Sequence, residues 1–131
     1  MSSDKFDSLI AEFPAEQDAV SRLGEHLREL CAESRTPELP ARRAFDIAKP
    51  SSSRILAKIL ARFVDYGFLK AAYRVQSDSL GGIDDFPSLQ EVPDVLVDWR
   101  AGDRLINVRM DQIELIYKVN PHLAVLDEFC R

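Results

Sequence analysis

Apolar positions recur with helical spacing most clearly between Ser51 and Leu69. Ile55, Leu56, Ile59, Leu60, Phe63 and Val64 make one apolar face. The opposite face carries Arg54, Lys58 and Arg62, each four residues from the last, with Ala57 and Ala61 between them. Residues four apart stack along a helix, so the spacing predicts a cationic row edged with methyl groups. Ser51, Ser52 and Ser53 follow Pro50 and offer an N-cap, and Gly67 offers a stop. Upstream, Val20, Leu23, Leu27, Leu30 and Cys31 fall on one stripe and predict a helix over Ala15 to Ser34, with Gly24 inside it at a cost of about 1 kcal/mol relative to Ala. Residues 4–13 read as a short helix ending before Pro14 or as a loose arm. Thr36, Pro37 and Pro40 punctuate. A short helix over 41–49 follows, with Leu39, Phe45, Ile47 and Ala48 inward, and Lys49-Pro50 ends it.

After Gly67 the period changes to alternation. Leu69, Ala71, Tyr73 and Val75 point one way and Lys70, Ala72, Arg74 and Gln76 the other, which predicts a half-buried strand. Ser77 to Val92 contains Gly81-Gly82, Pro87 and the acids Asp78, Asp84, Asp85 and Glu91, and reads as a long loop. Pro93 to Trp99 predicts a second strand, with Val95, Val97 and Trp99 in alternation. Ala101 to Asp103 predicts a turn, and Leu105 to Met110 a third strand with Ile106, Val108 and Met110 on one face. Ile113 to Val119 fits a strand by alternation and a helix by the spacing of Ile113, Ile116 and Tyr117; the strand is preferred. Asn120-Pro121 caps a last helix. The expected organisation is an arm or short helix over 1–14, one domain over 15–119 and a C-terminal helix over 120–131.

The 131 residues, 46% of them hydrophobic, suffice for one good core. No apolar run approaches the roughly 20 residues of a membrane span. The N-terminal MSSDKFDS lacks a basic-then-apolar leader pattern, so the expected location is the cytoplasm, with Cys31 and Cys130 as reduced thiols and no membrane partner. The net charge of −5 hides a segregation. Residues 1–34 hold 3 Lys/Arg and 8 Asp/Glu, residues 35–74 hold 9 and 3, and residues 75–131 hold 5 and 11. A basic island between acidic flanks points to one positive surface facing a partner, or to blocks that neutralise one another internally.

Catalytic chemistry finds no purchase. His26 and His122 stand alone and the two cysteines are far apart, so no metal or other cofactor is expected. There is no Gly-rich phosphate loop and no nucleophile with a base beside it. The chain is expected not to be an enzyme.

The run from Arg43 to Val75 carries Leu60, Phe63-Val64, Gly67 and Phe68-Leu69 in the pattern that closes a recognition helix, after a tight turn between two helices. From about Val20 to Met110 the chain resembles the winged helix-turn-helix superfamily. The resemblance implies an α+β fold: a three-helix core, a small antiparallel sheet and here a C-terminal helix. It also implies that Ser51, Ser52, Ser53, Arg54, Lys58 and Arg62 face DNA, while Arg42, Arg43 and Lys49 reach phosphates. The chain departs from the pattern in its wing, because Ser77 to Asp94 holds several acids and no cation, and acids over a phosphate backbone repel.

Two functions compete. The first is a regulator-like protein that binds double-stranded DNA through the basic helix. The second is an adaptor or accessory subunit of a bacterial multiprotein complex, docking through Asp84, Asp85 and Phe86 of the acidic loop and through Leu123, Leu126 and Phe129 of the last helix. That last helix also suits a homodimer.

Overall fold

A computed structural model of the chain describes residues 2–78 and 81–119. The fold is α+β. Four α-helices, α1 (Ser2–Glu12), α2 (Gln17–Glu33), α3 (Ala41–Ala48) and α4 (Ser53–Asp65), alternate with and precede six strands: β1 (Glu38–Pro40), β2 (Leu69–Ser77), β3 (Gly81–Phe86), β4 (Val95–Asp98), β5 (Arg104–Asn107) and β6 (Ile113–Val119). One sheet has the strand order β1-β6-β2-β3, and β4 and β5 form a separate two-stranded ribbon. Two compact units result. One runs through Lys70 and takes back the end of β6 from Tyr117; the other is Ala71–Ile116. No helix among the described residues is long and apolar enough to cross a membrane. The expected helix over 120–131, with Leu123, Leu126 and Phe129, lies outside the described residues.

The first unit is helical. On α2, Ala19, Val20, Leu23, Gly24 and Leu27 are buried, three and four residues apart, and this face packs chiefly on α3. Helix α3 answers with Ala44 and Ala48, both 0% exposed. Their small side chains let the two helices approach closely. Phe45 was expected to point inward, yet it is 39% exposed. It sits one residue round from the Ala44/Ala48 stripe, about 100° away, so a stripe of alanines turns it outward. Leu39 is buried as expected, but from a strand: Glu38–Pro40 is extended, and Val119 N donates to Pro37 O at 3.0 Å.

The second unit is built on hairpins. Ser77 to Val92 is not a continuous loop, because Gly81–Phe86 pairs antiparallel with β2 and puts Arg74 opposite Asp85, with a bulge at Val75/Gln76. Sequence alternation gave no sign of this strand, since tertiary pairing holds it. Arg74 donates to both carboxylate oxygens of Asp85, at 2.7 and 3.0 Å. Gly82 leaves room for that side chain: a Cβ there would come within 2.7 Å of Arg74 Cδ. The β4–β5 register sets Val95 against Asn107, Leu96 against Ile106, Val97 against Leu105 and Asp98 against Arg104. Buried Asp98 shapes the turn between them. It accepts from Arg100 N at 3.1 Å, Ala101 N at 3.2 Å and Ser77 Oγ at 2.7 Å, and Gly102 and Asp103 take positive φ. The strand expected over Leu105 to Met110 stops at Asn107, and Met110, itself exposed, opens a 3-10 turn that ends on buried Gln112. The strand preferred for Ile113 to Val119 is present as β6.

Candidate nucleic-acid interface

Helix α3 ends at Lys49, which takes the left-handed conformation (φ 51°). A side chain there costs about 1 kcal/mol or more. Three contacts hold the strained turn. Lys49 N donates to Phe45 O at 2.8 Å, and from α2 Arg22 Nε donates to Ala48 O at 2.8 Å and its Nη2 to Lys49 O at 3.4 Å. On the far side of buried Pro50, Glu16 accepts from Ser51 N at 3.1 Å and from Ser51 Oγ. The turn between α3 and α4 is thus clamped from both ends, by Arg22 in the second turn of α2 and by Glu16, the residue just before that helix.

Ser52 is the N-cap of α4, its hydroxyl accepting from Ile55 N at 3.2 Å. Leu56, Ile59, Leu60 and Phe63 are buried, with Ile55 and Val64 half-buried beside them. The helix closes as expected at Gly67 (φ 86°). Phe68 N reaches back to Phe63 O at 2.9 Å and Gly67 N to Val64 O at 3.0 Å, and the Phe63 and Phe68 rings meet with centroids 5.6 Å apart. This is the Schellman closure, in which glycine supplies the left-handed residue and an apolar contact seals the stop.

The opposite face divides. Ser53, Arg54, Ala57, Lys58 and Ala61 are exposed. Among the described residues Arg54 and Lys58 have no ion pair, and neither do exposed Arg43 and Lys49 on the preceding helix and turn. Arg42 is exposed on α3. Arg62 differs. Its Nε and Nη2 donate to the two oxygens of Glu12 at 2.7 and 3.2 Å, its Nη1 donates to Asp65 at 2.8 Å, and its guanidinium lies 5.0 Å from the Tyr66 ring centroid. Tyr66 Oη donates to Glu12 as well, at 2.5 Å. These hydrogen bonds, first from Arg62 and then from Tyr66, hold the Glu12 carboxyl below its ordinary value, and Glu12 in turn raises the Tyr66 phenol. The expected row of three cations is therefore a free pair, Arg54 and Lys58, followed by a cation already engaged. Asp65 lies three residues from Arg62, a local signal for pairing. Glu12 lies fifty residues away and left none.

The residues expected to bind a protein partner also separate. Asp84 is exposed on β3 and accepts from Asp85 N at 2.9 Å. Asp85 is bound by Arg74, and Phe86 is half-buried opposite Tyr73. Asp78 accepts from Arg109 at 2.7 Å at the edge of a polar cleft of about 440 Å³ lined by Gln76, Ser77, Arg109, Gln112 and Glu114 among others. Arg109 is shared between Asp78 and Asp111, and with Glu114 also in the lining the cleft stays acidic. No protein-family model, curated protein or solved structure matches this chain.

Proposed function

We propose that the chain is a non-catalytic winged-helix protein that binds double-stranded DNA through α4. In this reading α3 and α4 are the helix-turn-helix, and the β2–β3 hairpin after them is the wing. The observation that carries it is the exposed pair Arg54 and Lys58, one turn apart, with no acid of the described chain against them. Ala57 and Ala61 between and beyond them keep the helix face low enough for a duplex to approach. Arg43 and Lys49 extend the positive surface onto the preceding helix and turn. The wing repels phosphate less than its composition suggests, because Asp85 and Asp78 are each bound by an arginine.

Binding of this kind comes largely from counterion release. Each phosphate contact contributes about 0.9 to the slope of log affinity against log salt. A gel shift at low salt with mixed-sequence duplex tests it. The unmodified protein should bind, and the Arg54→Glu/Lys58→Glu double variant should lose binding while its thermal unfolding stays the same, since both positions are exposed. Absence of binding by the unmodified protein at low salt would overturn the reading.

A further inference from the structure

Two of the residues expected at DNA already hold a carboxylate of the same chain. Just before α4, Ser51 donates to one oxygen of Glu16 through its N–H, at 3.1 Å, and through its hydroxyl. Near the other end of the helix, Arg62 grips both oxygens of Glu12 at 2.7 and 3.2 Å, and Tyr66 donates to the same group at 2.5 Å. The two acids come from one short stretch. Glu12 is the last residue of α1 and Glu16 the residue before α2. The turn between them is closed by Phe13 N on Ile10 O at 3.1 Å and by Glu16 N on Phe13 O at 2.9 Å. Leu9 is fully buried, and the Phe6 ring meets the Phe68 ring edge-on with centroids 6.3 Å apart, so α1 is seated beside the closure of α4.

Carboxylate and phosphate suit the same donors. A guanidinium fork takes two oxygens of either. Backbone N–H groups and serine hydroxyls are common donors to the phosphates of a nucleic acid. Glu12 and Glu16 thus put anions on donors that a nucleic-acid backbone would use. Neither contact is deep. The Arg62 and Glu12 side chains are 40% and 35% exposed, and ion pairs so open to water are weak. Turning the glutamate side chains away frees both sets of donors without moving a helix. We propose that the α1–α2 junction is a built-in competitor for the nucleic acid, with Glu12 and Glu16 occupying Arg62 and Ser51 until phosphates displace them. This rests on the DNA-binding reading of α4 and concerns the regulation of that surface.

The affinity of the full chain for mixed-sequence duplex at low salt, followed through a double-mutant cycle, tests it. Glu12→Ala/Glu16→Ala should bind roughly tenfold more tightly than the unmodified chain. The control Glu25→Ala/Glu33→Ala removes the same charge from exposed positions of α2 that have no ion pair among the described residues, and should gain much less. The Ser51 arm separates occupancy from charge alone. Ser51→Ala should cost little in the unmodified chain, where Glu16 holds the hydroxyl, and roughly threefold to tenfold in affinity once Glu16→Ala has freed it. Arg62→Gln should follow the same pattern against Glu12→Ala, more weakly because Asp65 stays on Nη1. Thermal unfolding of each variant checks that the surface is intact. Glu12→Gln/Glu16→Gln keeps side-chain size and replaces the alanine pair if that pair unfolds early. Equal gains from the acid pair and the control overturn the inference and leave the DNA reading standing. So does a Ser51→Ala effect that is the same with and without Glu16. An unmodified chain that binds no duplex removes both.

Discussion

Helix α4 and the β4–β5 ribbon each leave one row of side chains in water, and the two rows are opposite in chemistry. On α4 the row is cationic and the face behind it is buried, with Phe63 and Ile59 fully enclosed. On the ribbon the outward row is itself apolar, and the residues behind it, Leu96 and Ile106, are only half-buried. A charged helix face in water is the ordinary state of an amphipathic helix and costs nothing. Apolar area left in water forgoes about 25 cal/mol for each Å². Exposure of Val95, Val97, Trp99 and Leu105 together is therefore the more telling of the two observations, because folding alone gives no reason for it. The cations of α4 become telling only once pairing is examined, where Arg54 and Lys58 part from Arg62.

The sharpest way to break the comparison is to remove what supports α4. Phe63→Ala should lower the unfolding free energy by about 3–5 kcal/mol, read by urea denaturation, because the ring is fully buried. Leu105→Asp, on the exposed ribbon, should leave the urea midpoint nearly unchanged. A smaller effect separates the two surfaces in solution. Arg54→Ala should lower the salt slope of DNA binding by about 0.9, whereas Val97→Asp should leave that slope alone. Equal effects from both would mean that one surface serves both ends.

The smallest effect concerns Glu12. Glu12→Gln removes one of the two carboxylates that hold Arg62, leaving Asp65 on its Nη1, and should steepen the salt slope of DNA binding by less than about 0.9. The same change alters acid stability. Because the folded state holds the Glu12 carboxyl below its ordinary 4.5, its contribution is present above that pH and is lost as pH falls through the lowered folded value. The unmodified protein should therefore lose stability below pH 4.5 more steeply than Glu12→Gln, as read by thermal unfolding across that range. Parallel profiles would show that the Glu12–Arg62–Tyr66 contact contributes nothing in solution.

Much of the helical unit was legible in the residues alone. The apolar spacing of α4, a cap within Ser51 to Ser53 and the stop at Gly67 are local features, and each has its counterpart in the structure. The same holds for the buried stripe of α2 and for the strand preferred over Ile113 to Val119. The hairpin unit was less legible. Strand β3 has no alternation of its own and is defined by its antiparallel pairing with β2, across which Arg74 meets Asp85. Val95, Val97 and Trp99 alternate like a half-buried strand, but alternation does not say whether anything covers the apolar side. On α3, Phe45 was misjudged because hydrophobicity was taken to decide burial, whereas the close approach of α2 selects the small Ala44 and Ala48.

By itself the sequence determined, to within a few residues, where α2 and α4 begin and end and which face of each is apolar. Periodicity, capping and glycine stops act over a few residues, through interactions that the chain makes with its own near neighbours. Only the tertiary structure decided which charges are free and which apolar rows stay in water. Glu12 reaches Arg62 across fifty residues, Glu16 reaches Ser51 across thirty-five and Arg22 reaches Ala48 across twenty-six. Pairings at that separation depend on how the chain returns on itself, and local periodicity carries no information about that return.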